Sequence, residues 1–149
     1  MRRLVYRLAH RGRRLWRRAR NPATHGVKGV VVCDGELLLV RHTYGLDRWE
    51  LPGGSIRRGE DPLACLAREL AEELGITPTS ASLIETFSGG GGRHLTDLCR
   101  VELDSRALRV NAAEIAEARW CDPAAPPSPL GAMVELALSR MTWPQSETR

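Results

Sequence analysis

One helix with an apolar face and an acidic face is predicted between residues 61 and 75. Asp61 followed by Pro62 suits an N-cap and a first helical residue, and Gly75 suits a left-handed stop. Leucines recur between these signals at helical spacing, at Leu63, Leu66, Leu70 and Leu74. The pattern constrains the fold because the leucine face must be buried against another layer, while the acidic face looks into a cleft.

The acidic face carries three carboxylates within one turn. Glu69, Glu72 and Glu73 stand at i, i+3 and i+4, so their side chains project from the same side of the helix. Like charges at this spacing repel each other and destabilise a helix. A hard divalent cation such as Mg²⁺, which prefers oxygen ligands, would offset that cost. The alternative is a solvated acidic face on a surface helix, the ordinary interpretation of an isolated run of this kind.

The residues just before the helix predict that backbone comes close to the same site. Leu51-Pro52-Gly53-Gly54 is a turn signal with two residues that lack a side chain. A backbone carbonyl in this turn can add a further oxygen ligand.

The spacing of these segments is far more specific than the acidic run alone. Gly54, five residues, Glu60, seven residues and then Arg68-Glu69-Leu70-x-Glu72-Glu73-x-Gly75-Ile76 resembles the Nudix box at all nine specified positions. The resemblance implies a metal-dependent hydrolase that cleaves a diphosphate linkage in a nucleoside diphosphate linked to another group. A nucleoside triphosphate or a small nucleotide derivative is the substrate favoured by default.

The resemblance also assigns metal-binding roles within the box. Glu69, Glu72 and Glu73 would be ligands of Mg²⁺, with Mn²⁺ able to substitute, and Glu69 is also a candidate base. The backbone carbonyl of Gly53 would complete part of the shell. Glu60 would support the start of the helix or bind a further ion.

Two further catalytic positions follow from the resemblance. Arg68 would form an ion pair that fixes the box. Nudix enzymes often take another carboxylate, as base or ligand, from a later loop. Glu114 and Glu117 are the candidates here, and Glu114 is preferred because it stands at the boundary between a loop and a strand. The other interpretation is that both merely solvate an edge strand.

Substrate contacts are predicted from side chains near the box. Arg41, at the end of a hairpin strand predicted to face the box, matches phosphate oxygens with its forked guanidinium. The bare backbone at Gly54 lets a ligand approach closely. A nucleotide base needs an apolar or aromatic slot. The residues that can form this slot are Trp49, Phe87, Tyr44 and Trp120.

The rest of the chain predicts an α/β fold. Asp34-Gly35 between two apolar runs indicates a hairpin. Strands are predicted at residues 26–33, 36–42, 49–51, 82–88, 95–103 and 115–120, with a closing helix at 130–141. Strands before and after a central helix favour a layered architecture. The Nudix resemblance implies an α/β/α sandwich with a central mixed sheet.

Charge is divided unevenly along the chain. The first 20 positions hold nine of the 22 basic residues and no acidic residue, which leaves the remainder with a net charge of 13 − 18 = −5. This division predicts a basic amphipathic helical arm at residues 1–22, a Nudix domain at 23–141 and a loose tail at 142–149. The four cysteines are widely separated, which predicts small core residues rather than a zinc site or disulfides.

The arm has several interpretations. It can dock on its own domain or on a second subunit of a homodimer, or lie through residues 2–20 on an anionic membrane surface. Attraction to nucleic acid or polyphosphate is the third interpretation, without sequence-specific nucleic-acid binding. The apolar runs are all shorter than a membrane span of roughly 20 residues. The cysteine pattern indicates a reducing compartment, so we expect a cytoplasmic protein. The Nudix resemblance implies that its main partner is a small-molecule nucleotide.

A second function class is a non-catalytic nucleotide-sensing or binding module on a Nudix fold. Regulators of this kind usually lose box carboxylates or carry a DNA-binding domain. The box is intact here and one domain is predicted, which favours the hydrolase.

Overall fold

The computed structural model describes residues 24–143, so the predicted arm and most of the predicted tail lie outside the described part. Within it, a mixed sheet of six strands is combined with two α-helices and one short 3₁₀ helix at Gly90–Gly92. The strands are β1 (Thr24–Cys33), β2 (Glu36–His42), β3 (Gly53–Ser55), β4 (Ser80–Gly89), β5 (His94–Glu102) and β6 (Ile115–Cys121). The α-helices are α1 (Pro62–Leu74) and α2 (Ala132–Arg140).

The sheet has the strand order β4-β5-β1-β2-β6, with β3 paired to β1 beside this path. The β1–β5 pair is parallel, whereas the other strand pairs are antiparallel. The long strand β1 is therefore central, and its first half lies between β5 and β3. Val27 is in register with Gly54 on one side and with Asp97 on the other.

The two α-helices cover opposite faces of the sheet. Alternate residues of β2 show this, because Leu38 and Val40 pack with α1 whereas Leu37 and Leu39 pack with α2. All four side chains are fully buried, as expected for a strand covered on both faces. The predicted α/β/α sandwich with a central mixed sheet is confirmed.

The start and stop signals of α1 act as the sequence indicates. The Asp61 side chain accepts a hydrogen bond from the Ala64 N–H, and Pro62 is the first helical residue. Gly75 ends the helix in the left-handed conformation, with φ at 66°. The hairpin signal is confirmed too, since Asp34 and Gly35 both have positive φ between β1 and β2.

The segment around residues 49–55 differs from prediction. No strand forms at 49–51, where Trp49 makes a single bridge with Leu130 and Glu50 makes one with Val40. The strand is instead Gly53–Ser55, which was predicted as a turn. A glycine pair favours a turn by local preference, but here pairing with β1 decides the backbone conformation. The other predicted elements agree within one or two residues at their ends.

Two further expectations can be compared with the described residues. All four cysteines are buried and none forms a disulfide, as predicted. Between residues 24 and 143, no helix combines the length and the apolar character that a membrane crossing requires.

Candidate active site on helix α1

Arg68 joins two carboxylates of the box. Its Nε and Nη2 donate to the two oxygens of Glu60, at 2.8 and 3.0 Å, and its Nη1 donates to Glu69 Oε1 at 2.8 Å. Glu72 Oε1 lies 3.8 Å from the same Nη1. Arg68, Glu60 and Glu69 are all largely shielded from solvent. The two-pronged contact fixes the guanidinium plane, as in other paired arginine–carboxylate contacts. Arg68 therefore lies where an orienting group is predicted.

The network stabilises the ionised form of Glu60. The Arg68 guanidinium, assisted by the Arg57 backbone N–H, holds the pKa of the Glu60 carboxyl at about 2. The same contact raises the pKa of Arg68 above its ordinary value. Glu60 is thus a charged, fully engaged partner of Arg68, which favours its role as a support for the helix start.

This pKa shift gives a prediction for acid stability. The folded pKa of Glu60 lies below its ordinary value of 4.5, so the contribution is present above pH 4.5 and is lost as pH falls towards 2. The difference in unfolding free energy between wild type and Glu60→Gln should shrink by up to about 3 kcal/mol over that range. Urea titrations of both proteins at several pH values in metal-free buffer measure this difference in unfolding free energy. A difference that stays constant with pH would contradict the assignment.

The three glutamates of α1 have different exposures. The side chains of Glu69 and Glu72 are 4% and 42% exposed, and Glu73 as a residue is 1% exposed. Two carboxylates are therefore buried beside a third that reaches solvent. Burial of carboxylates is costly unless partners or a cation compensate.

The glycines of β3 lie directly against this face. A Cβ added at Gly54 would overlap the carboxyl group of Glu69, so only glycine leaves space for that side chain. At Gly53 a Cβ would overlap the Val27 carbonyl, and its φ of 150° also disfavours other residues. The predicted close approach of backbone to the box is present, with Gly53 and Gly54 in a strand rather than a turn.

The donor set suits a hard divalent cation because it consists of carboxylate oxygens and backbone carbonyls. Across residues 24–143, however, no three His, Cys, Asp or Glu side chains already converge as a preformed metal cluster. Arg68 contributes to this lack of convergence, since it binds both oxygens of Glu60 and one oxygen of Glu69.

A cleft of about 280 Å³ is lined in part by Gly54 of the box. Its walls come from β1, β3 and β5 and include Lys28, Gly54, Ser55, His94 and Thr96. Among the described residues that line it, Lys28 is the only Lys, Arg, Asp or Glu. Its Nζ donates to the Leu51 carbonyl at 3.1 Å. Gly54 therefore lines this cleft and also lies against the Glu69 carboxyl group.

Lys28 was missed by the sequence analysis. It is the only lysine in the chain and interrupts an apolar strand, and these two signals could have singled it out. His94 also lines the cleft, and its Nδ1 lies 2.8 Å from Thr24 Oγ1.

Arg41 and Trp49 form a separate cluster. Val40 packs with α1, whereas the next residue, Arg41, projects to the opposite face, which differs from the predicted orientation towards the box. The Arg41 guanidinium lies 5.3 Å from the Trp49 ring centroid, and that of Arg119 lies 4.7 Å from it. Glu117 accepts from both arginines at 2.8 Å. Hydrogen bonds from Arg119 and Arg41 lower the pKa of Glu117.

The other predicted aromatic residues are spread over the fold. Phe87 of β4 packs on the α2 side, while Trp120 packs on the α1 side and donates its indole N–H to the Arg106 carbonyl. The Tyr44 ring lies 5.2 Å from that of His42. None of these side chains lines the cleft beside Gly54 within the described part of the chain.

Glu114 lies in a turn directly before β6. Its backbone N–H donates to the Asn111 carbonyl at 2.9 Å, and its carbonyl accepts from the Thr43 N–H at 3.0 Å. Asn111 in turn donates to the Glu73 carbonyl. The turn is therefore attached to the end of α1, whereas Glu117 is held by two arginines.

A family profile described as the NUDIX domain matches residues 23–137. Among solved structures, the MutT NUDIX hydrolase from Burkholderia pseudomallei is similar, with a TM-score of 0.72 and 25% identity. That alignment covers 80% of this chain and 98% of the other.

Curated relatives match over shorter stretches. An RNA pyrophosphohydrolase from Aeromonas hydrophila is 37% identical over 60 residues, which is 39% of this chain and 34% of that protein. A putative 8-oxo-dGTP diphosphatase 2 from Mycobacterium tuberculosis is 69% identical over 29 residues, covering 20% and 21% of the two chains. The chain thus spans well under half the length of the curated relatives it matches.

Proposed function

The chain belongs to the Nudix family, and from this we propose that it is a hydrolase of diphosphate linkages in nucleoside diphosphate derivatives. The reaction is attack of water on phosphorus with the help of a divalent cation. The observation that supports the proposal most is the position of Gly54, which contacts the Glu69 carboxylate and also lines the cleft that contains Lys28.

The acidic face of α1 is the proposed cation site. Glu69, Glu72 and Glu73 would hold the ion, and the Gly53 carbonyl would contribute a further oxygen. A bound divalent cation neutralises phosphate charge and lowers the pKa of bound water. We favour Mg²⁺, with Mn²⁺ as a substitute, because both suit oxygen donors. The chain's own residues orient this site, with Arg68 fixing Glu69 and Glu60 fixing Arg68.

We assign water activation to carboxylates in or near the C-terminal half of α1. Glu69 is one candidate base, because it is buried beside Gly54, close to the cleft. Glu114 is the other candidate for base or extra ligand, and its turn is bonded to the α1 terminus at Glu73. Glu117 is less suited because both its oxygens are engaged by arginines.

The cleft beside Gly54 is the proposed place of the substrate. Its volume of about 280 Å³ lies just below the usual range of small-ligand pockets, so we propose that it holds only part of a nucleotide derivative. Lys28 would contact phosphate there, since an ammonium group is a common point charge for phosphate. We keep a nucleoside triphosphate or small nucleotide derivative as the favoured substrate. The similar proteins described as RNA pyrophosphohydrolases add RNA that carries a diphosphate linkage to the substrates worth testing.

We keep further substrate contacts, the oligomeric state and the cellular location as hypotheses. Arg41, Trp49 and Phe87 can contact the substrate only outside this cleft, because they lie in other parts of the fold. A homodimer, a cytoplasmic location and membrane contact through residues 2–20 are likewise untested by the described residues.

A substrate screen tests the proposal. Nucleoside triphosphates, nucleoside diphosphate derivatives and 5′-triphosphorylated RNA are incubated with Mg²⁺ or Mn²⁺ in ¹⁸O-labelled water, and product masses are measured. We expect cation-dependent cleavage within the phosphate chain, with one ¹⁸O in one product phosphate and no reaction in EDTA. Tight nucleotide binding without turnover under every condition would instead support the non-catalytic sensing module.

A further inference from the structure

Two backbone hydrogen bonds connect the segment before β6 to the C-terminal end of α1. The Arg109 N–H donates to the Leu74 carbonyl, and the Asn111 N–H donates to the Glu73 carbonyl, both at 2.8 Å. The last carbonyls of a helix have no partner within the helix. This segment therefore completes the helix end, and it does so at the residue that carries one of the proposed metal ligands.

Asn111 also organises the turn that carries Glu114. Its carbonyl accepts from the N–H groups of Glu114 and Ile115, at 2.9 and 3.0 Å, and its side-chain Oδ1 accepts from the Ala113 N–H at 3.2 Å. A side chain that bonds to backbone two residues ahead stabilises a turn. The main chain of Asn111 thus contacts the backbones of Glu73 and Glu114, and its side chain adds the bond to Ala113 that fixes the turn between them.

Thr43 holds the turn from the opposite side. Its backbone N–H donates to the Glu114 carbonyl at 3.0 Å, and its hydroxyl donates to the carbonyls of Ala113 and Glu114 at 3.1 and 3.3 Å. Residues 111–114 are therefore fixed between the end of α1 and the residue that follows β2.

We propose that Asn111 is a positioning residue whose side chain, through its bond to the Ala113 N–H, fixes the turn that presents Glu114 to the cation site of α1, with the Thr43 hydroxyl as its counterpart across the turn. The inference rests on the proposed function, because it concerns the same cation site. Groups that orient ligands from behind typically affect metal affinity or activity by 10- to 100-fold.

Metal titration tests the inference independently of catalysis. Mn²⁺ binding is measured by calorimetry on the full chain for wild type, Asn111→Ala, Thr43→Val and Thr43→Ser. We expect Asn111→Ala and Thr43→Val to weaken Mn²⁺ binding on the order of tenfold. Thr43→Ser keeps the hydroxyl and should stay within about twofold of wild type. Wild-type affinity in both Asn111→Ala and Thr43→Val would overturn the proposal.

A double-variant cycle separates positioning from a general loss of structure. In a Glu114→Gln background, Asn111→Ala should weaken Mn²⁺ binding by less than about twofold, since the carboxylate it positions is gone. An equal loss in both backgrounds would overturn the proposal, because Asn111 would then act without Glu114.

The same variants separate this inference from the proposed function. If Mn²⁺ binding follows the expected pattern but no substrate is hydrolysed, the inference stands and the hydrolase proposal fails. If substrates are hydrolysed but Asn111→Ala weakens Mn²⁺ binding equally with and without Glu114, the hydrolase proposal stands and this inference fails. Failure of the wild type to bind Mn²⁺ would overturn the cation site and this inference together.

Discussion

Glu72→Gln lowers the turnover of any hydrolysed nucleotide by at least about 100-fold, as expected when a charged ligand is removed from a catalytic cation site. The amide keeps the size of the side chain but loses the negative charge. Steady-state kinetics at saturating Mg²⁺ measures the effect, and a Mg²⁺ titration shows whether weaker binding contributes. Glu72 is suitable because its side chain is 42% exposed, whereas Glu69 and Glu73 are buried.

Thermal unfolding provides the structural control for this variant. Removing one of three neighbouring negative charges relieves repulsion on α1, so the metal-free melting temperature should be unchanged or slightly higher. Mg²⁺ should raise the melting temperature of wild type more than that of Glu72→Gln, because a ligand stabilises the state that binds it. Glu135→Gln, on the exposed side of α2, is the matched control and should behave as wild type. Full activity in Glu72→Gln would remove this residue from the site.

Local signals were sufficient to predict α1 and its place in the fold. Asp61, Pro62 and Gly75 act through contacts with neighbouring residues, and these contacts are the same in any tertiary setting. The leucine spacing then determines which side of the helix is buried. The sandwich architecture itself came from the resemblance to Nudix enzymes, since no local pattern shows a parallel β1–β5 pair.

The sequence was less informative where two buried faces meet. Residues 37–40 are all buried, so their pattern does not alternate, and it could not show that Val40 faces α1 while Arg41 faces away. The structure therefore differs from the predicted orientation of Arg41 towards the box, since its side chain lies over the Trp49 ring. Strand β3 could not be predicted from local sequence either. Gly53-Gly54 has the preferences of a turn, and it forms a strand only because it pairs with β1.

Gly54→Ala is the second substitution expected to have a large effect. The added Cβ would overlap the Glu69 carboxyl group, and that side chain has little freedom because it is buried and bonded to Arg68. We expect a loss of about 1–3 kcal/mol in unfolding free energy, as in other overpacked interiors. Turnover should fall by about 100-fold, since a shift of about 1 Å in a catalytic group has that effect. Urea unfolding and steady-state kinetics measure the two losses.

Two further variants show whether steric contact with Glu69 is the cause. Gly89→Ala is the matched control, because a Cβ there meets only one atom, at 4.0 Å, and it should change stability and turnover little. Glu69→Asp shortens the carboxylate by one methylene and makes room for the alanine. In the Glu69→Asp background, Gly54→Ala should lower the unfolding free energy by less than about 1 kcal/mol, which would show that the two substitutions are coupled. The same cost in both backgrounds would mean that Gly54 is required for the conformation of β3, and not for the space that it leaves to Glu69.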